Sequence, residues 1–365
     1  MTARFIEMPW SLYTADPCWV PPLLVEGKWH LSVKNPYFEH AEFQAWIAWR
    51  GDRMVGRISA QVDQLHLQQH NDTTGFFGFL EAEDSAETFH GLFAAAEDWL
   101  RQKGMRQVRG PFSLSINDEC GLLVDGFNSP PPIMLGHALP YYGKRVEEQG
   151  YVKGQDLLAY RVDPELIHQP HLETLARRFS HRIKVRKMRR DRFHEDLDII
   201  RDLFTDAWSE NWGFIPFTQA EFAELGKNLK FLVDSESVRI AEVDGEPLAM
   251  IVMFPNINEM IKDLNGRLLP FGWLKLLWRL KVTGARSSRV PLMGVRRQHQ
   301  GTMMGAALAL MTIDPVHQHA RRKGVTEVDM SWILEQNKGM RKIIELLGGN
   351  VYKRYRIYEK DLAAG

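Results

Sequence analysis

Residues 290–305 are VPLMGVRRQHQGTMMG, and AALALMTID follows directly. The apolar segment that ends at Val295 has the pattern of a β-strand, and the apolar residues after Gly301 recur at helical spacing. A polar loop with two basic residues, Arg296 and Arg297, lies between them. The first N–H groups of a helix and its positive dipole end bind anions, and a glycine lets a phosphate approach the backbone. The stretch therefore predicts a strand, a phosphate-binding loop and a helix.

The segments around this loop predict a complete α/β domain over residues 181–365. The pattern indicates strands at 183–188, 289–295, 325–334 and 351–359, helices at 193–208, 218–233, 301–319 and 337–347, and a hairpin at 238–254. Thr218 and Glu221 form a capping-box pattern at the start of the second helix. Residues 259–281 interrupt this order, so we interpret them as an insertion.

The first half of the chain repeats much of this order. The pattern predicts irregular structure for the first forty residues, a hairpin at 45–63, strands at 75–82, 105–112 and 152–162, and helices at 85–103 and 141–149. We therefore predict an N-terminal domain at 1–165 and a linker at 166–180. A length of 365 residues agrees with two domains.

Composition excludes several classes of protein. The chain has 46 Lys+Arg and 46 Asp+Glu, so no net charge steers it toward nucleic acid or an anionic membrane. Its two cysteines cannot form a disulfide framework. Because no secretory signal and no apolar run of about 18 residues is present, we expect a cytoplasmic protein without a membrane span.

The loop residues Gln298–Met303 resemble the coenzyme A pyrophosphate loop of the GNAT acyltransferase superfamily, whose pattern is Gln/Arg-x-x-Gly-x-Gly/Ala. Gln298 and Gly301 match, whereas Met303 stands where the family has a small residue. The order of elements over 183–359 is also similar to the GNAT order. The resemblance implies an α/β (α+β) fold of two tandem GNAT-like domains, each a mixed, mostly antiparallel sheet flanked by helices.

Longer stretches resemble a family of bacterial tandem-GNAT proteins that includes the bacterial ceramide synthases. These stretches are residues 16–22, 121–126, 208–216 and 266–276. The resemblance implies transfer of an acyl group from acyl-CoA, as co-substrate and without a metal, to a primary amine. A long-chain amine of the sphingoid type is the acceptor that we expect from it.

The resemblance also implies which residues contact acyl-CoA. They are Met293, Val295, Arg296, Arg297, Gln298, Gly301, Thr302, Met303, Gly305 and Asn337. Asn337 opens the helix after the penultimate strand, as in the family. At the corresponding helix start in the first half, Glu83, Asp84 and Glu87 would repel a pyrophosphate. We therefore expect the N-terminal domain to lack the loop.

The catalytic residues are less defined. The family often has a tyrosine seven residues after the asparagine, as the general acid for the thiolate, but Ile344 stands there. The role is either vacant or filled by Tyr355, Tyr352 or Tyr358, and Tyr355 is our candidate. The amine needs a base, and Glu335, Glu210 and Asp118 are candidates among which the sequence does not choose. Asp118, Asn211, Trp212 and Trp273 are the candidates for binding the acceptor.

Two further segments leave alternatives open. Residues 268–281 (LLPFGWLKLLWRLK) combine tryptophans with basic residues, as in segments that touch a bilayer or line an acyl-chain channel. They also suit an ordinary helix packed on its domain. The basic run at 182–192 suits phosphate groups of tRNA or lipid, or a solvated strand.

We therefore expect an acyl-CoA-dependent N-acyltransferase with peripheral contact to the inner membrane face. The alternatives are an aminoacyl-tRNA-dependent transferase of the peptidoglycan-ligase type and a non-catalytic lipid- or partner-binding protein. Nucleic acid is not an expected partner under the main interpretation. The sequence does not indicate the acyl length or the oligomeric state.

Overall fold

The computed structural model describes residues 2–165, 177–230 and 233–363, which form two compact units. Unit 1 comprises Met1–Leu158, Ile261–Leu274 and Tyr352–Gly365, and unit 2 comprises Ala159–Met260 and Lys275–Val351. Of the linker predicted at 166–180, residues 166–176 lie outside the described residues. The predicted domain bounds stay a prediction, and the structure adds that two later segments of the chain group with unit 1.

The first forty residues contain helices that the sequence did not predict. They are α1 (Thr2–Glu7), α2 (Trp10–Tyr13), α3 (Leu24–His30) and a 3-10 turn at Pro36–Glu39. The prolines at 17, 21 and 22 lie between α2 and α3, so they separate helices instead of preventing them. Phe5, Ile6 and Tyr13 are buried, which explains why such short helices are held in place.

The rest of the first half contains the predicted elements in the predicted order. Its elements are β1 (Ala41–Arg50), β2 (Arg53–Asp63), α4 (Gln64–His70), β3 (Thr74–Ala82), α5 (Ala86–Gln102), β4 (Gln107–Gly110), β5 (Phe112–Ser113), β6 (Glu119–Cys120), β7 (Leu122–Asp125), α6 (Tyr142–Glu147) and β8 (Val152–Val162). Among them, α4, β6 and β7 are additional to the prediction. Ser85 caps α5 by accepting a hydrogen bond from the N–H of Thr88. The apolar face of α5, with Phe89, Leu92 and Phe93, is buried.

The second half also follows the predicted order. Its elements are β9 (Ile183–Lys187), α7 (Phe193–Trp208), α8 (Gln219–Leu229), β10 (Val238–Val243), β11 (Glu246–Pro255), α9 (Asn258–Ile261), α10 (Gly272–Trp278), a π-helical turn (Arg279–Thr283), β12 (Ser287–Val295), α11 (Met303–Arg322), β13 (Glu327–Leu334), α12 (Lys338–Leu346) and β14 (Asn350–Asp361). The capping box predicted at Thr218 and Glu221 is present at the start of α8.

Each unit contains a mostly antiparallel sheet. In unit 1 the strand order is β1-β2-β3-β4-β14, and only β3 and β4 pair in parallel. In unit 2 the order is β13-β12-β11-β10-β9, and only β12 and β13 pair in parallel. The helix after the loop packs on the second sheet, where Ala307 and Leu308 join Ala241 and Ala249 in the core.

The basic run of residues 182–192 is largely paired with carboxylates of unit 2. Asp196 is completely buried and accepts hydrogen bonds from Arg186 at 2.9 Å and from Arg189 at 2.6 Å. Burial by itself would raise the pKa of Asp196, but these hydrogen bonds outweigh it and lower that pKa. The run therefore contributes much of its charge to the fold.

Among the described helices, none is both long and apolar enough to cross a bilayer. Residues 2–165, 177–230 and 233–363 contain no group of three or more His, Cys, Asp or Glu side chains that could bind a metal ion.

Candidate functional site

The parallel strands β12 and β13 form a fork in unit 2. Their pairing extends from Ser287 and Glu327 to Val290 and Met330, although the strands continue to Val295 and Leu334. On its other edge β12 stays paired with β11 as far as Val295. The second half of β12 therefore presents one edge to the fork. Trp208 and Gln300 donate to the carbonyl oxygens of Met293 and Val295 on that edge at 3.2 and 2.9 Å, and an extended ligand can lie along the rest of it.

The loop that follows β12 has the conformation that its glycines permit. Gly301 has a φ of +73°, in the left-handed region, with no other heavy atom near the position of a Cβ. The N–H of Gly305 bonds to the Thr302 hydroxyl at 3.0 Å, so Thr302 is the N-cap and α11 begins at Met303. A Cβ on Gly305 would lie 2.0 Å from the carbonyl oxygen of His299. Both glycines are therefore needed for this turn.

Three backbone donors lie close together in sequence at the start of α11. Within residues 177–230 and 233–363, the N–H groups of Gly301, Met303 and Met304 have no protein acceptor. Met303 and Met304 belong to the first turn of a helix of 20 residues, and Gly301 directly precedes its N-cap, so the helix dipole adds a positive potential at all three N–H groups. The geometry is that of an anion-binding turn.

Carboxylates in α7 and in the turn that follows it contact the two arginines of the loop. Arg296 contacts Asp202, Arg297 contacts Glu210, and the N–H of Arg297 donates to Asp206 at 2.8 Å. The resemblance implies that both arginines contact acyl-CoA. The structure shows that carboxylates partly neutralise them, whereas no protein acceptor among the described residues engages the N–H groups of Gly301, Met303 and Met304.

The candidate catalytic carboxylates differ in their surroundings. Glu210 is exposed and paired with Arg297, whereas Glu335 directly follows β13 and is half-buried. Asn337 caps α12 by accepting a hydrogen bond from the N–H of Met340 at 3.1 Å. The C-terminal end of β13 therefore brings Glu335 and Asn337 to the open end of the fork.

Tyr355 lies in β14 of unit 1, and its side chain is completely buried. A general acid must touch the leaving group, so this burial argues against the predicted role of Tyr355. Tyr358 is 1 % exposed, and Tyr352 is the one of the three tyrosines that is half-buried.

The predicted acceptor residues lie in separate surroundings. Asp118, in unit 1, accepts hydrogen bonds from the N–H and the hydroxyl of Ser115 at 3.1 and 2.9 Å, as turn-forming aspartates do. Asn211 forms a turn with Trp208 and Phe214 through its backbone. Trp212, in the same turn, is half-buried, and Trp273 is 47 % exposed at α10.

The architecture is similar to that of solved GNAT proteins. A tandem GNAT protein from the clavulanic acid biosynthesis pathway matches 99% of this chain with a TM-score of 0.55 and 14% identity, over 95% of its own length. A GCN5-related N-acetyltransferase from Sphaerobacter thermophilus matches 87% with a TM-score of 0.51 and 13% identity, over 81% of its length. These structural similarities show that the chain has the GNAT fold.

Two proteins are similar in sequence over nearly the full length. Protein YghO of Escherichia coli (strain K12) is 47% identical over 359 residues, which are 98% of this chain and 92% of that protein. The bacterial ceramide synthase of Caulobacter vibrioides (strain NA1000 / CB15N) is 46% identical over 366 residues, with coverage of 98% and 94%. The chain belongs to this tandem GNAT family. No family model matches the sequence.

This tandem GNAT chain is an N-acyltransferase with two GNAT-like domains, as the sequence predicted. The loop and fork of unit 2 coincide with the segment whose sequence resembled the coenzyme A loop. Sequence reasoning missed Gln300, whose side-chain amide donates to the carbonyl oxygens of Ala207 and Val295 at 3.0 and 2.9 Å. It also missed Asp202 and Asp206, because their partners lie about ninety residues later in the chain.

Unit 1 has a corresponding pair of parallel strands, β3 and β4, but the protein's own chain fills the space where their pairing ends. The pairing of β3 with β4 ends at Phe76 and Arg109. Beyond it, a Cβ on Gly78 would lie 1.8 Å from the carbonyl oxygen of Phe112, and the Gln61 amide donates to that same oxygen at 2.6 Å. These contacts support the prediction that unit 1 does not bind coenzyme A in the usual way.

A buried carboxyl group in unit 1 was not predicted from the sequence. Glu81 of β3 accepts hydrogen bonds from the hydroxyls of Tyr13 at 2.7 Å and Tyr142 at 2.8 Å, and Arg57 lies 3.7 Å away. Burial raises the pKa of Glu81 to about 7, although Arg57 and the tyrosines lower it. The cluster forms through strand register and side-chain packing, which no local pattern reports.

Glu81 therefore makes stability depend on pH. The unfolded chain releases the Glu81 proton near the ordinary pKa of 4.5, whereas the folded chain keeps it up to about pH 7. The free energy of unfolding therefore falls by about 3 kcal/mol as the pH rises from about 4.5 to about 7. Glu81→Gln keeps an acceptor for the tyrosine hydroxyls but does not titrate. We expect the stability of this variant, measured relative to the parent protein, to be higher at about pH 8 than at about pH 5. Thermal unfolding at both pH values measures this, and an equal difference in Tm at the two would contradict it.

Proposed function

We propose that this chain transfers an acyl group from acyl-CoA to the nitrogen of a long-chain primary amine. The observation that carries the proposal is the anion-binding turn at Gly301, Met303 and Met304 beside the open fork of β12 and β13. A pyrophosphate fits such donors, and a pantetheine arm fits the unpaired edge of β12. A ceramide synthase with nearly half of its residues identical supports a lipid amine as the acceptor.

The proposed reaction is a direct displacement. The neutral amine nitrogen attacks the thioester carbonyl, a C–N bond forms, and the C–S bond breaks. The amine loses one proton, and the coenzyme A thiolate gains one, so the products are an amide and free coenzyme A. A backbone N–H on the unpaired edge of β12 would stabilise the oxyanion as it develops.

Glu335 is the candidate base that the surroundings favour. Glu210 is exposed on the turn after α7, and Asp118 lies in unit 1, whereas the strands of the fork belong to unit 2. Glu335 is half-buried at the end of β13, beside the fork. It would accept the proton of the amine directly or through one water molecule.

The test is a turnover assay with purified protein, an acyl-CoA and sphinganine, in which free coenzyme A is measured with a thiol reagent and the amide by mass spectrometry. We expect one equivalent of coenzyme A per amide. Transfer from an aminoacyl-tRNA in place of acyl-CoA, or no amide with any primary amine, would contradict the proposal. The pairing of the basic run with carboxylates gives the tRNA alternative little support.

We also propose peripheral contact with the inner membrane face through residues 268–281. Large apolar side chains in and directly beside this segment are exposed: Leu269 by 79%, Phe271 by 72%, Trp273, Leu274 and Leu277 by 47% each, Trp278 by 64% and Val282 by 60%. Lysines at 275 and 281 lie among them. Exposed tryptophan and basic residues on a short amphipathic segment suit the interface of an anionic bilayer.

The contact predicts a measurable loss of binding to vesicles. We expect Trp273→Ser combined with Trp278→Ser to reduce cosedimentation with vesicles that contain anionic phospholipid by about tenfold. Trp49→Ser is the matched control, since Trp49 is 46 % exposed and lies in β1. Equal loss in both variants, or no binding by the parent protein, would contradict the contact.

A further inference from the structure

Unit 2 contains a cavity of about 690 Å³ between α7, α8 and the sheet. Side chains of both helices and of two strands give it apolar walls, among them Phe193, Leu197, Ile200, Phe222, Val252 and Leu292. Its volume is within the range of sites for small ligands. The cavity is therefore large enough to hold a hydrocarbon chain.

The inner end of the cavity reaches the fork. Leu292 lines it and belongs to the half of β12 that is not paired with β13. Val295, where the loop begins, is three residues further along the strand, about 10 Å away. A substrate in the cavity would thus place one end beside the edge of β12 at which we propose that the thioester lies.

The outer end of the cavity lies at the π-helical turn. Leu280, Val282 and Ala285 line it there. Val282 is 60 % exposed, and Trp278, in the helix just before, is 64 % exposed. If this segment contacts a bilayer, the mouth faces hydrocarbon, and an alkyl chain can enter the cavity without crossing water.

The rim of the cavity carries more positive than negative charge. Arg190, Lys230, Lys281, Arg322 and Lys323 line it together with Asp234, which lies 3.8 Å from Lys323. Basic groups around an apolar mouth match the anionic surface of a membrane. They also repel an ammonium group, so the amino end of a lipid amine is disfavoured at the rim and favoured at the inner end.

We propose that this cavity binds the hydrocarbon chain of the lipid amine acceptor, with the amino group at Leu292 and the chain directed to the mouth at Val282. The inference rests on the proposed function and specifies where its acceptor binds. The acyl chain of the thioester is the competing occupant, but coenzyme A esters arrive from water, and the mouth lies beside exposed apolar residues. The lipid amine is the substrate that resides in a bilayer.

The test is to shorten the cavity near its mouth with Ala285→Phe. Ala285 is 9 % exposed and lines the outer part of the cavity. The measured quantity is kcat/KM for two pairs of substrates: dodecylamine and butylamine with one acyl-CoA, and palmitoyl-CoA and acetyl-CoA with one amine. Ala223→Phe is the control, because Ala223 is half-buried on α8 but is not among the lining residues.

We expect Ala285→Phe to lower kcat/KM for dodecylamine by at least about tenfold, to leave butylamine unchanged and to leave the ratio of the two acyl-CoA esters unchanged. The control should retain all four values. A changed preference among acyl-CoA esters with an unchanged preference among amines would assign the cavity to the acyl chain and overturn the proposal. Unchanged preferences in both pairs would overturn it as well.

Equilibrium binding separates this inference from the proposed function. If no amine is acylated, the proposed reaction fails, and calorimetry with dodecylamine then decides about the cavity. We expect dodecylamine to bind the parent protein and the control variant at least about tenfold more tightly than Ala285→Phe. Equal affinity for the three proteins, or no binding to the parent protein, would overturn the inference.

Discussion

Gly301→Glu is expected to abolish the binding of acyl-CoA. The side chain would extend from the turn that carries the N–H groups of Gly301, Met303 and Met304, and its carboxylate would compete with an anion for them. Like charges that face one another in a binding site cost several kcal/mol, so we expect the Kd for coenzyme A to rise by at least about 100-fold. Isothermal calorimetry with coenzyme A measures it.

Gly324→Glu is the matched control for this change. Gly324 has a φ of +74° and open space at its Cβ position, as Gly301 has at +73°, but it follows the C-terminal end of α11. Both substitutions place a side chain in the left-handed region, at a similar cost of about 1 kcal/mol. If coenzyme A binds Gly301→Glu as tightly as Gly324→Glu, the loop is not the pyrophosphate site.

Arg289→Met is expected to destabilise the protein by about 3–5 kcal/mol, the largest effect on stability that we predict. Arg289 is almost completely buried, and it donates to the hydroxyl and the carbonyl of Ser331 at 3.2 Å each. Its guanidinium also lies 3.6 Å from Asp329. Loss of the guanidinium leaves the charge of Asp329 buried without that partner. Urea unfolding measures the change in the free energy of unfolding.

The double variant Arg289→Met with Asp329→Leu shows whether charge is the cause. Replacement of both members of a buried pair by apolar residues is often neutral, so we expect the double variant to recover most of the lost stability. The pairing of β12 and β13 ends one residue pair beyond Arg289 and Asp329, which places this cluster at the base of the fork. A loss below about 1 kcal/mol in Arg289→Met would contradict the expectation.

Local patterns explain why so much of the fold could be predicted. The apolar spacing of Phe89, Leu92 and Phe93 identifies α5, and the turn residues at Gly51-Asp52 and Asp244-Gly245 identify the hairpins. Such signals lie within one element or between neighbouring elements. They failed for α1, α2 and α3, because those helices have only four to seven residues, and the burial of Phe5, Ile6 and Tyr13 in α1 and α2 depends on residues elsewhere in unit 1.

The sequence by itself determined the loop of the candidate site. Gly301, Thr302 and Gly305 lie within five residues, and their conformations follow from the absence of a Cβ and from a local capping bond. The resemblance of this segment to a coenzyme A loop therefore predicted a turn whose backbone N–H groups suit an anion, and its role as the pyrophosphate site stays a prediction.

Only the tertiary structure decided which charges around that loop are available. Arg296 and Arg297 are engaged by carboxylates about ninety residues earlier in the chain, and Glu81 lies near Arg57 through the register of two strands. The fork itself arises because β12 and β13 stop pairing, and the cavity arises because α7 and α8 pack over the sheet. Electrostatic energy depends on distance and burial, and neither is encoded in the spacing of residues along the chain.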